Sequence, residues 1–335
     1  MTAMHFIDGS AVHVYPPQDE RPHPPGPDES WQESFVIYWY DPETRVGGGF
    51  RLGTEPNHEG GRSQFLIMLL TPEGAYRRIT CVPSQPGDVS ADGVASGDGT
   101  LRYRFDGERI YWTLQEAGVA VSLTVELTVP PVNAHRRAGI GSAEAVMSAH
   151  VDAACKVTGS VMLEGRAYAV DGFGIRDHAW GNRDLSTLRS HRWLIADMGD
   201  GDTFVAMTFL SADDTLAKFG WMIRGNTVHL ASHVATRAHV DDDGATAWGG
   251  TLAMTLDTGE SIEARFDPVY RPFGLGWTFI HPTFYTDAYC RVTIGERTGF
   301  GIFEASANIR GGTLIPATTD GAIVRDGFHP DVRPL

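Results

Sequence analysis

The stretch Gly172-Phe-Gly-Ile-Arg-Asp-His-Ala-Trp-Gly-Asn-Arg-Asp184 combines extended-chain residues with an unusual concentration of ionisable groups. The segments on either side, residues 160–170 and 193–198, are rich in the β-branched, aromatic and other apolar residues that strands favour. The glycines of the stretch indicate a backbone that turns sharply or approaches another chain closely. We therefore predict a strand end followed by a loop, and not a helix.

Most of the remaining chain has the pattern of strands and tight turns. Residues 34–40 are aromatic and β-branched, residues 119–129 form a long alternating run, and residues 251–266 have the form of a hairpin. No long segment shows the 3.6-residue apolar period of an amphipathic helix. The sequence therefore predicts an all-β protein.

The expected domain organisation follows from the need of an all-β chain to close or stack its sheets. Residues 35–79 and 191–230 both have the pattern of up-and-down meanders, which indicates two barrel-like halves. We expect a proline-rich N-terminal arm over residues 1–30, followed by two barrels over residues 31–160 and 161–335, the second of which carries the motif. One large β-sandwich with decorated loops is the alternative.

Composition narrows the classes of function. The chain has 335 residues, 42% of them hydrophobic, and a formal net charge of −15. Such acidity disfavours nucleic acids and anionic membrane surfaces as partners, and no apolar run reaches the roughly 18 residues of a membrane helix. Cys81, Cys155 and Cys290 are odd in number and far apart, which indicates neither a disulfide framework nor a metal motif. Without a recognisable signal peptide, a cytoplasmic location is expected.

The motif supplies candidate groups for proton transfer. On an extended backbone Arg176, His178 and Trp180 share one face, whereas Asp177 and Ala179 share the other, and the indole favours an inward direction for the first set. A carboxylate or imidazole that is removed from water acquires a pKa closer to neutrality and can then act as acid or base. The alternative is a buried Asp–Arg–His network that only locks the junction of the barrels.

The candidate residues fall into a catalytic set and a substrate-binding set. The catalytic candidates are His178, Asp177, Trp180 and Asp184. The candidates that would contact substrate are Arg176, Trp193, Trp221, Trp277, His281, Tyr285 and Glu304. We expect His281, Tyr285 and Asp287 to share a strand face and to be either a polar wall opposite His178 or part of an ordinary aromatic strand. No metal ligand set is expected.

The motif also carries a family resemblance. Residues 176–184 resemble the Asp-His-x-Trp-Gly signature of the carotenoid 1,2-hydratase (hydroxyneurosporene synthase) and AttH-like group, and resemble more closely its uncharacterised branch from bacteria that handle terpenoids and steroids. Gly301-Ile-Phe-Glu304 stands where that family has its C-terminal glycine–glutamate strand. The resemblance implies two consecutive lipocalin-like (calycin) β-barrels with an apolar cavity. It also implies that His178 and Trp180 act on a protonated double bond.

One departure from the family separates this chain from carotenoid hydration. The hydratase branch has a Tyr-x-Asp pair a short way downstream of the motif, where this chain has Thr203-Phe-Val-Ala-Met-Thr-Phe-Leu210. A different proton-transfer reaction, or a different substrate, is therefore expected.

The sequence as a whole predicts a cofactor-independent acid–base enzyme, namely a hydratase, dehydratase, isomerase or cyclase. Its expected partner is a hydrophobic terpenoid, steroid or polyketide-like molecule, with no nucleic acid and no membrane insertion, and a homodimer is one arrangement that the sequence allows. Two alternatives stay open. The first is a non-catalytic carrier of hydrophobic ligands, and the second is a hydrolase of an apolar ester or ring.

Overall fold

The computed structural model describes residues 5–6, 13–133, 149–183, 188–211, 214–225, 227–242, 246–277, 283–308, 327–329, 332 and 334–335. Almost every regular element in this part of the chain is a strand, and the exception is one short 3-10 helix, Pro17–Glu20. None of the described residues forms a helix long and apolar enough to cross a membrane. The expected all-β class is therefore confirmed.

Two large sheets organise these strands. The first sheet contains β2 (His13–Val14), β3 (Trp31–Asp41), β4 (Val46–Glu55), β5 (Arg62–Thr71), β6 (Gly74–Pro83), β7 (Gly93–Ala95), β8 (Leu101–Phe105), β9 (Ile110–Glu116), β10 (Val119–Leu127), β11 (Val132–Asn133), β12 (Ala149–Leu163), β13 (Arg166–Asn182) and β23 (Phe328–His329). The second sheet contains β1 (His5–Phe6), β14 (Leu188–Asp197), β15 (Asp202–Ser211), β16 (Leu216–Arg224), β17 (Thr227–Val240), β18 (Ala247–Leu256), β19 (Ser261–Pro268), β20 (Phe273–Trp277), β21 (Thr283–Ile294) and β22 (Arg297–Asn308).

Both sheets curl, but only the second sheet closes. In it, β14 pairs with β22 and β17 pairs with β18, so that a ring of antiparallel strands forms an eight-stranded barrel. The first sheet runs in the order β23-β6-β5-β4-β3-β13-β12-β10-β9-β8-β7 and forms a half-barrel. Closure and curling remove or shelter the unpaired edges that an open sheet would expose. The expectation of two lipocalin-like barrels is confirmed.

Apolar side chains fill three layers, because each sheet buries both of its faces. One layer lies inside the curl of the first sheet and includes Phe35, Ile37 and Trp112. A second layer lies inside the closed barrel and includes Phe204 and Phe303. The third and largest layer lies between the two sheets and combines side chains from both of them. We call this third layer the interbarrel layer; its members include Tyr38, Leu66, Met68, Ile175, Trp193, Val205, Tyr289 and Ile302.

The motif strand belongs to the first sheet. β13 pairs with β12 on one side and with β3 on the other, over ten residue pairs that run from Phe173 with Tyr40 to Asn182 with Trp31. Sheet membership therefore changes between β13 and β14, and not at residues 160 and 161, which lie within β12. The physical reason is the long β12–β13 hairpin, which returns the chain to β3 before it enters the second sheet.

Candidate active site between the barrels

The side chains on the two faces of β13 lie in different layers, and the division between the faces is the one that the strand pattern predicted. Arg176, His178 and Trp180 point into the curl of the first sheet, where His178 pairs in register with Phe35 of β3. Asp177 points to the opposite side, into the interbarrel layer, where it lies opposite Asp152 of β12. One motif therefore contributes side chains to two separate polar networks.

The network inside the first sheet is fully buried. Arg176 donates from Nε to Glu20 Oε2 over 2.9 Å and from Nη1 to the Val151 carbonyl oxygen over 3.0 Å. His178 Nε2 lies 2.9 Å from Glu33 Oε1, and the histidine side chain is 0% exposed to solvent. The Arg176 Nη2 atom lies 3.3 Å from His178 Nδ1. Both imidazole nitrogens of His178 therefore have protein partners.

The hydrogen-bond partners of His178 determine which of its ring nitrogens carries a proton. A guanidinium can only donate, so Nδ1 of His178 accepts and Nε2 carries the proton that it donates to Glu33. Burial lowers the pKa of His178, and the charge of Arg176 acts in the same direction. Burial disfavours ionisation of Glu33, but hydrogen bonds from His178 and His23 outweigh that cost and lower its pKa. The result is a neutral imidazole fixed between two charged groups.

The N-terminal arm completes this network and packs against the first sheet. His23 Nδ1 lies 2.7 Å from Glu33 Oε1, and the His23 ring stacks on Trp180 with ring centroids 4.0 Å apart. Glu20 is buried beside Arg176, and its carbonyl oxygen accepts a 2.7 Å hydrogen bond from the Tyr103 hydroxyl. Glu20 and His23 thus attach the arm to the motif strand through Arg176 and Trp180, and to β3 through Glu33.

On the opposite face, Asp177 belongs to an acidic cluster with His150 and Asp152. His150 Nε2 lies 3.1 Å from Asp177 Oδ1 and 3.6 Å from Asp152 Oδ1. Burial disfavours a charged imidazole, but the two carboxylates outweigh that cost and raise the pKa of His150 to about 9. Burial also disfavours ionisation of Asp177, but His150 and Arg183 lower its pKa. Asp177 is therefore ionised and paired with an imidazolium.

The second sheet presents a carboxyl pair to the same layer. Asp287 on β21 and Glu304 on β22 lie directly opposite each other in the ladder, so their carboxyl groups act on each other's pKa. Burial, followed by the charge of Glu304, raises the pKa of Asp287 well above its usual value. Burial, followed by the charge of Asp177, raises the pKa of Glu304 to about 7. Near neutral pH the pair therefore retains a proton, which is the state that two adjacent buried carboxyl groups adopt.

His191 and Tyr38 hold the carboxyl pair in place. The backbone N–H of His191 donates to Ser306 Oγ over 3.1 Å, and the same hydroxyl lies 2.5 Å from His191 Nδ1. The other ring nitrogen, Nε2, contacts Glu304 Oε1. Burial, followed by the charge of Arg192, lowers the pKa of His191 to about 3, so the ring is neutral. On the other side of the pair, the Tyr38 hydroxyl donates to Asp287 Oδ2 over 3.1 Å.

Aromatic rings and two partly exposed carboxyl groups line this part of the interbarrel layer. Trp193 pairs with Glu304 in the ladder, and its ring centroid lies 6.1 Å from that of Tyr38. Tyr285 lies edge-on to His191 with centroids 5.6 Å apart. The side chains of Asp177 and Glu304 are 19% and 16% exposed. Solvent or a ligand can therefore reach this face of the motif strand, in contrast to His178.

Two groups of side chains have the residue types and spacing of metal ligands among the described residues: His23 with Glu33 and His178, and His150 with Asp152 and Asp177. In the first group the imidazole protons are already donated to Glu33. In the second group His150 has a pKa of about 9, and a protonated imidazole cannot ligate a metal. We assign both groups as hydrogen-bonded ion clusters.

The structure brings together only some of the residues that the sequence singled out. Asp177, Trp193, Tyr285 and Glu304 lie in the interbarrel layer or face it, whereas Arg176, His178 and Trp180 lie in the other network. Trp221 is fully buried in the interbarrel layer and stacks on Phe219. Asp184, His281 and the side chain of Trp277 lie outside the described residues. Tyr285 and Asp287 share one face of β21, as expected. They face Asp177, however, and not His178.

Sequence reasoning missed His150, Asp152, Tyr38 and His191. His150 and Asp152 are alternate residues of the segment Ala149-His-Val-Asp-Ala-Ala-Cys155, where two polar side chains stand on one face of an otherwise apolar strand. That alternation was a usable signal. His191 and Tyr38 carry no comparable local signal, because their roles arise only from the packing of one sheet on the other.

Comparison with solved structures supports the fold. A candidate AttH protein from Nitrosomonas europaea superposes with a TM-score of 0.65 at 14% identity, over 92% of this chain and 99% of that one. CghA in complex with Sch210972 gives a TM-score of 0.59 at 12% identity, over 84% and 89% of the two chains. Kievitone hydratase from Nectria haematococca gives 0.56 at 12% identity, over 92% and 96%. At these identities the likeness establishes a shared fold.

Sequence comparison identifies the family. No curated protein matches the chain significantly. A family model matches residues 16–309, a range that includes the second half of the arm, the motif strand and the carboxyl pair. The chain therefore belongs to the family described as domain of unknown function DUF7064.

Proposed function

We propose that this protein is an acid–base enzyme of the lyase or isomerase class that acts on a hydrophobic small molecule in the interbarrel layer. The observation that carries the proposal is the Asp287–Glu304 pair, a proton-sharing carboxyl pair in an aromatic environment that solvent can reach. All the groups that the chemistry requires are side chains of this chain, so the proposed reaction needs no cofactor.

The two members of the pair have complementary roles. Asp287 holds its proton at neutral pH and is assigned to donate it to an alkene carbon or to a carbonyl oxygen. Glu304, with a pKa of about 7, accepts a proton when it is ionised. For a hydration, the water that adds to the second carbon gives its proton to Glu304. For an isomerisation or cyclisation, Glu304 instead takes the proton from the neighbouring C–H bond, so protons balance in each case.

The surroundings stabilise a cationic intermediate between the two steps. The faces of Trp193 and Tyr38 supply electron-rich surfaces, and the ionised Asp177 adds negative charge to the same layer. In this proposal the motif residue that contributes to catalysis is Asp177, on the opposite face of β13 from His178, which the family resemblance favoured. The proposed catalytic residues are therefore Asp287 and Glu304, with Asp177 and His191 as positioning residues.

Two of the solved structures that share this fold support the reaction class. Kievitone hydratase is by name a hydratase, and CghA binds Sch210972 in its crystal. We propose a terpenoid, steroid or polyketide-like molecule as the substrate. We also propose that the chain is related to the carotenoid hydratase and AttH-like group.

Native mass spectrometry of the freshly purified protein would identify a retained apolar ligand and so the substrate class. Incubating that ligand, or a panel of terpenoids, steroids and polyketides, in D2O should then give products with deuterium bound to carbon. A hydrolase would add solvent oxygen without carbon-bound deuterium, and a carrier would return its ligand unchanged. Either of those results would overturn the proposal.

A further inference from the structure

A cleft of about 310 Å³ lies between the two sheets, away from the carboxyl pair. Lys156 and Phe173, which pair across β12 and β13, form its wall on the first sheet. Asp197 and the turn at residues 199–201, which joins β14 to β15, form its wall on the second sheet. This volume is at the lower limit of pockets that hold small-molecule ligands. The reaction proposed above makes no use of the cleft.

The cleft and the carboxyl pair lie at different levels of the interbarrel layer. Asp197 and Trp193 share one face of β14, because side chains alternate along a strand. Trp193 lies opposite Glu304 in the ladder. Each residue of a strand advances the chain by about 3.3 Å, so Asp197 lies about 13 Å along β14 from the level of Glu304.

Three isoleucines fill the layer between these two levels. Ile195 lies halfway along this part of β14 and pairs with Ile302 of β22. Ile175 has the corresponding position on β13, two residues after Phe173. All three isoleucines are 0% exposed and belong to the interbarrel layer. Buried apolar side chains therefore separate the cleft from the carboxyl pair.

The Asp197 carboxyl group is the polar centre of the cleft. Its Oδ1 atom accepts a 2.9 Å hydrogen bond from the backbone N–H of Gly199, and the residue is 5% exposed. Within the described part of the chain, no other donor and no cationic side chain bonds to this carboxyl. Burial raises the pKa of Asp197 to about 6, and the charge of Asp202 acts in the same direction. At neutral pH the carboxyl is therefore ionised at a cost in free energy that a nearby cation would offset.

The cationic side chains around the cleft already have partners. Lys156 Nζ lies 2.9 Å from Asp171 Oδ1, and both side chains are at least half exposed. On the second sheet, Arg297 Nη1 lies 2.7 Å from Asp202 Oδ2. Asp200 of the turn adds a further carboxyl group to the lining. These pairings leave an excess of negative charge at the cleft, in a chain whose formal net charge is −15.

We propose that this cleft binds a small apolar amine in its ammonium form, with the nitrogen at Asp197 and the apolar body against Phe173. An ammonium group has only donors, which match a carboxylate that accepts a single hydrogen bond from the protein. The partly exposed ring of Phe173 supplies an apolar wall, and its face attracts cations. The site is separate from the carboxyl pair, so this proposal does not depend on the reaction proposed above.

Isothermal titration of the full chain with hexylammonium, hexanol and hexanoate tests the site, because the three probes share an alkyl chain and differ in charge. Hexylammonium should bind at least tenfold more tightly than hexanol, a difference of about 1.4 kcal/mol. Hexanoate should bind no more tightly than hexanol, because Asp197 repels it. No saturable binding of hexylammonium, or equal affinities for hexylammonium and hexanol, would overturn the proposal.

Two substitutions test the assigned residues. Asp197→Asn should abolish the preference for hexylammonium and leave hexanol binding unchanged, because the amide still accepts from the Gly199 N–H but carries no charge. Phe173→Ala should weaken hexylammonium and hexanol by a similar severalfold factor, because both alkyl chains lose the same wall. Circular dichroism would confirm that each variant is folded. A preference that survives Asp197→Asn, or binding that Phe173→Ala does not change, would overturn the proposal.

Asp177→Asn is the matched control, because it makes the same change on the carboxyl-pair side of the interbarrel layer. It should retain the preference for hexylammonium. A preference that is lost in Asp177→Asn would place the ammonium group beside the carboxyl pair and overturn the proposal. Tighter binding of hexanoate than of hexanol, lost in Lys156→Gln, would identify an anion site at Lys156 and overturn it as well.

Discussion

On one face of β13 His178 is completely buried, with both ring nitrogens bonded, whereas on the other face Asp177 is 19% exposed and acts on the pKa of Glu304. The residue types on the two faces are equally suited to acid–base chemistry. They differ in whether any lone pair or proton is left for a substrate. Saturated hydrogen bonding makes the first face an anchor for the N-terminal arm, and partial saturation makes the second face a candidate for catalysis.

The strongest test of this comparison is Asp287→Asn. Removing the proton donor should lower kcat by about 10²–10⁴-fold, the usual contribution of general acid catalysis, while the fold is retained because an amide fills the same space. Steady-state kinetics on the substrate identified by mass spectrometry would measure the change. The matched control is Asp267→Asn on β19, where the Asp267 side chain is 35% exposed; this substitution should leave kcat unchanged. Unchanged kcat in Asp287→Asn would remove the carboxyl pair from the mechanism.

His178→Ala should instead act on stability. Glu33 and Arg176 would each lose a buried partner, which is expected to lower the free energy of unfolding by about 3 kcal/mol. Denaturant unfolding followed by tryptophan fluorescence would measure this, with kcat normalised to folded protein staying near the wild-type value. A variant of normal stability that makes no product would show that His178 is catalytic and that the two faces have the opposite roles.

The pH dependence of stability should report on Glu304. Its pKa is about 7 in the fold and 4.5 in the unfolded reference, so the native state keeps a proton that the unfolded chain loses between these values. The free energy of unfolding should therefore fall as pH rises through this window. Glu304→Gln should be about 1–3 kcal/mol more stable than wild type at pH 8 and similar to it at pH 4. Equal stabilities at pH 8 would contradict the raised pKa.

The smallest expected effect is a shift in the pH–rate profile. Because Glu304 accepts a proton in the proposed mechanism, kcat/KM should rise with pH through about 7. The charge of Asp177 helps to raise that pKa, so Asp177→Asn should move the rising limb to lower pH by less than about one unit. His178→Asn is the matched substitution on the buried face of β13 and should leave the rising limb of the pH–rate profile at the wild-type pH. If the rising limb shifted in His178→Asn and not in Asp177→Asn, the roles that we assign to the two faces would be reversed.

Much of the fold was accessible from the sequence. Alternating apolar patterns and glycine-rich turns identified an all-β chain, and the motif at residues 172–184 supported the two-barrel architecture. The division at residues 160 and 161 differs from the observed change of sheet, because a hairpin as long as β12–β13 has no local signal that assigns it to β3. The proline-rich arm gave no hint that Glu20 and His23 would be buried beside the motif.

The candidate site was only partly accessible. Tyr285 was identified from the local pattern and Glu304 from the family resemblance, and Asp287 was expected to share a strand face with Tyr285. Their meeting with Asp177 and Tyr38 could not be predicted, because these residues are far apart in the chain and come together only through packing of the two sheets. The same packing creates the desolvation that raises the pKa values of Asp287 and Glu304.

By itself, the sequence determined which side chains of the motif share a face, since the alternation of a strand follows from backbone geometry alone. It also determined that the chain would bury apolar sheets. The tertiary structure decided which face is chemically available. Availability depends on what a side chain meets from other segments. Glu33 of β3 and Arg176 saturate the ring nitrogens of His178 on one face, whereas on the other face the second barrel brings the Asp287–Glu304 carboxyl pair to the layer that contains Asp177.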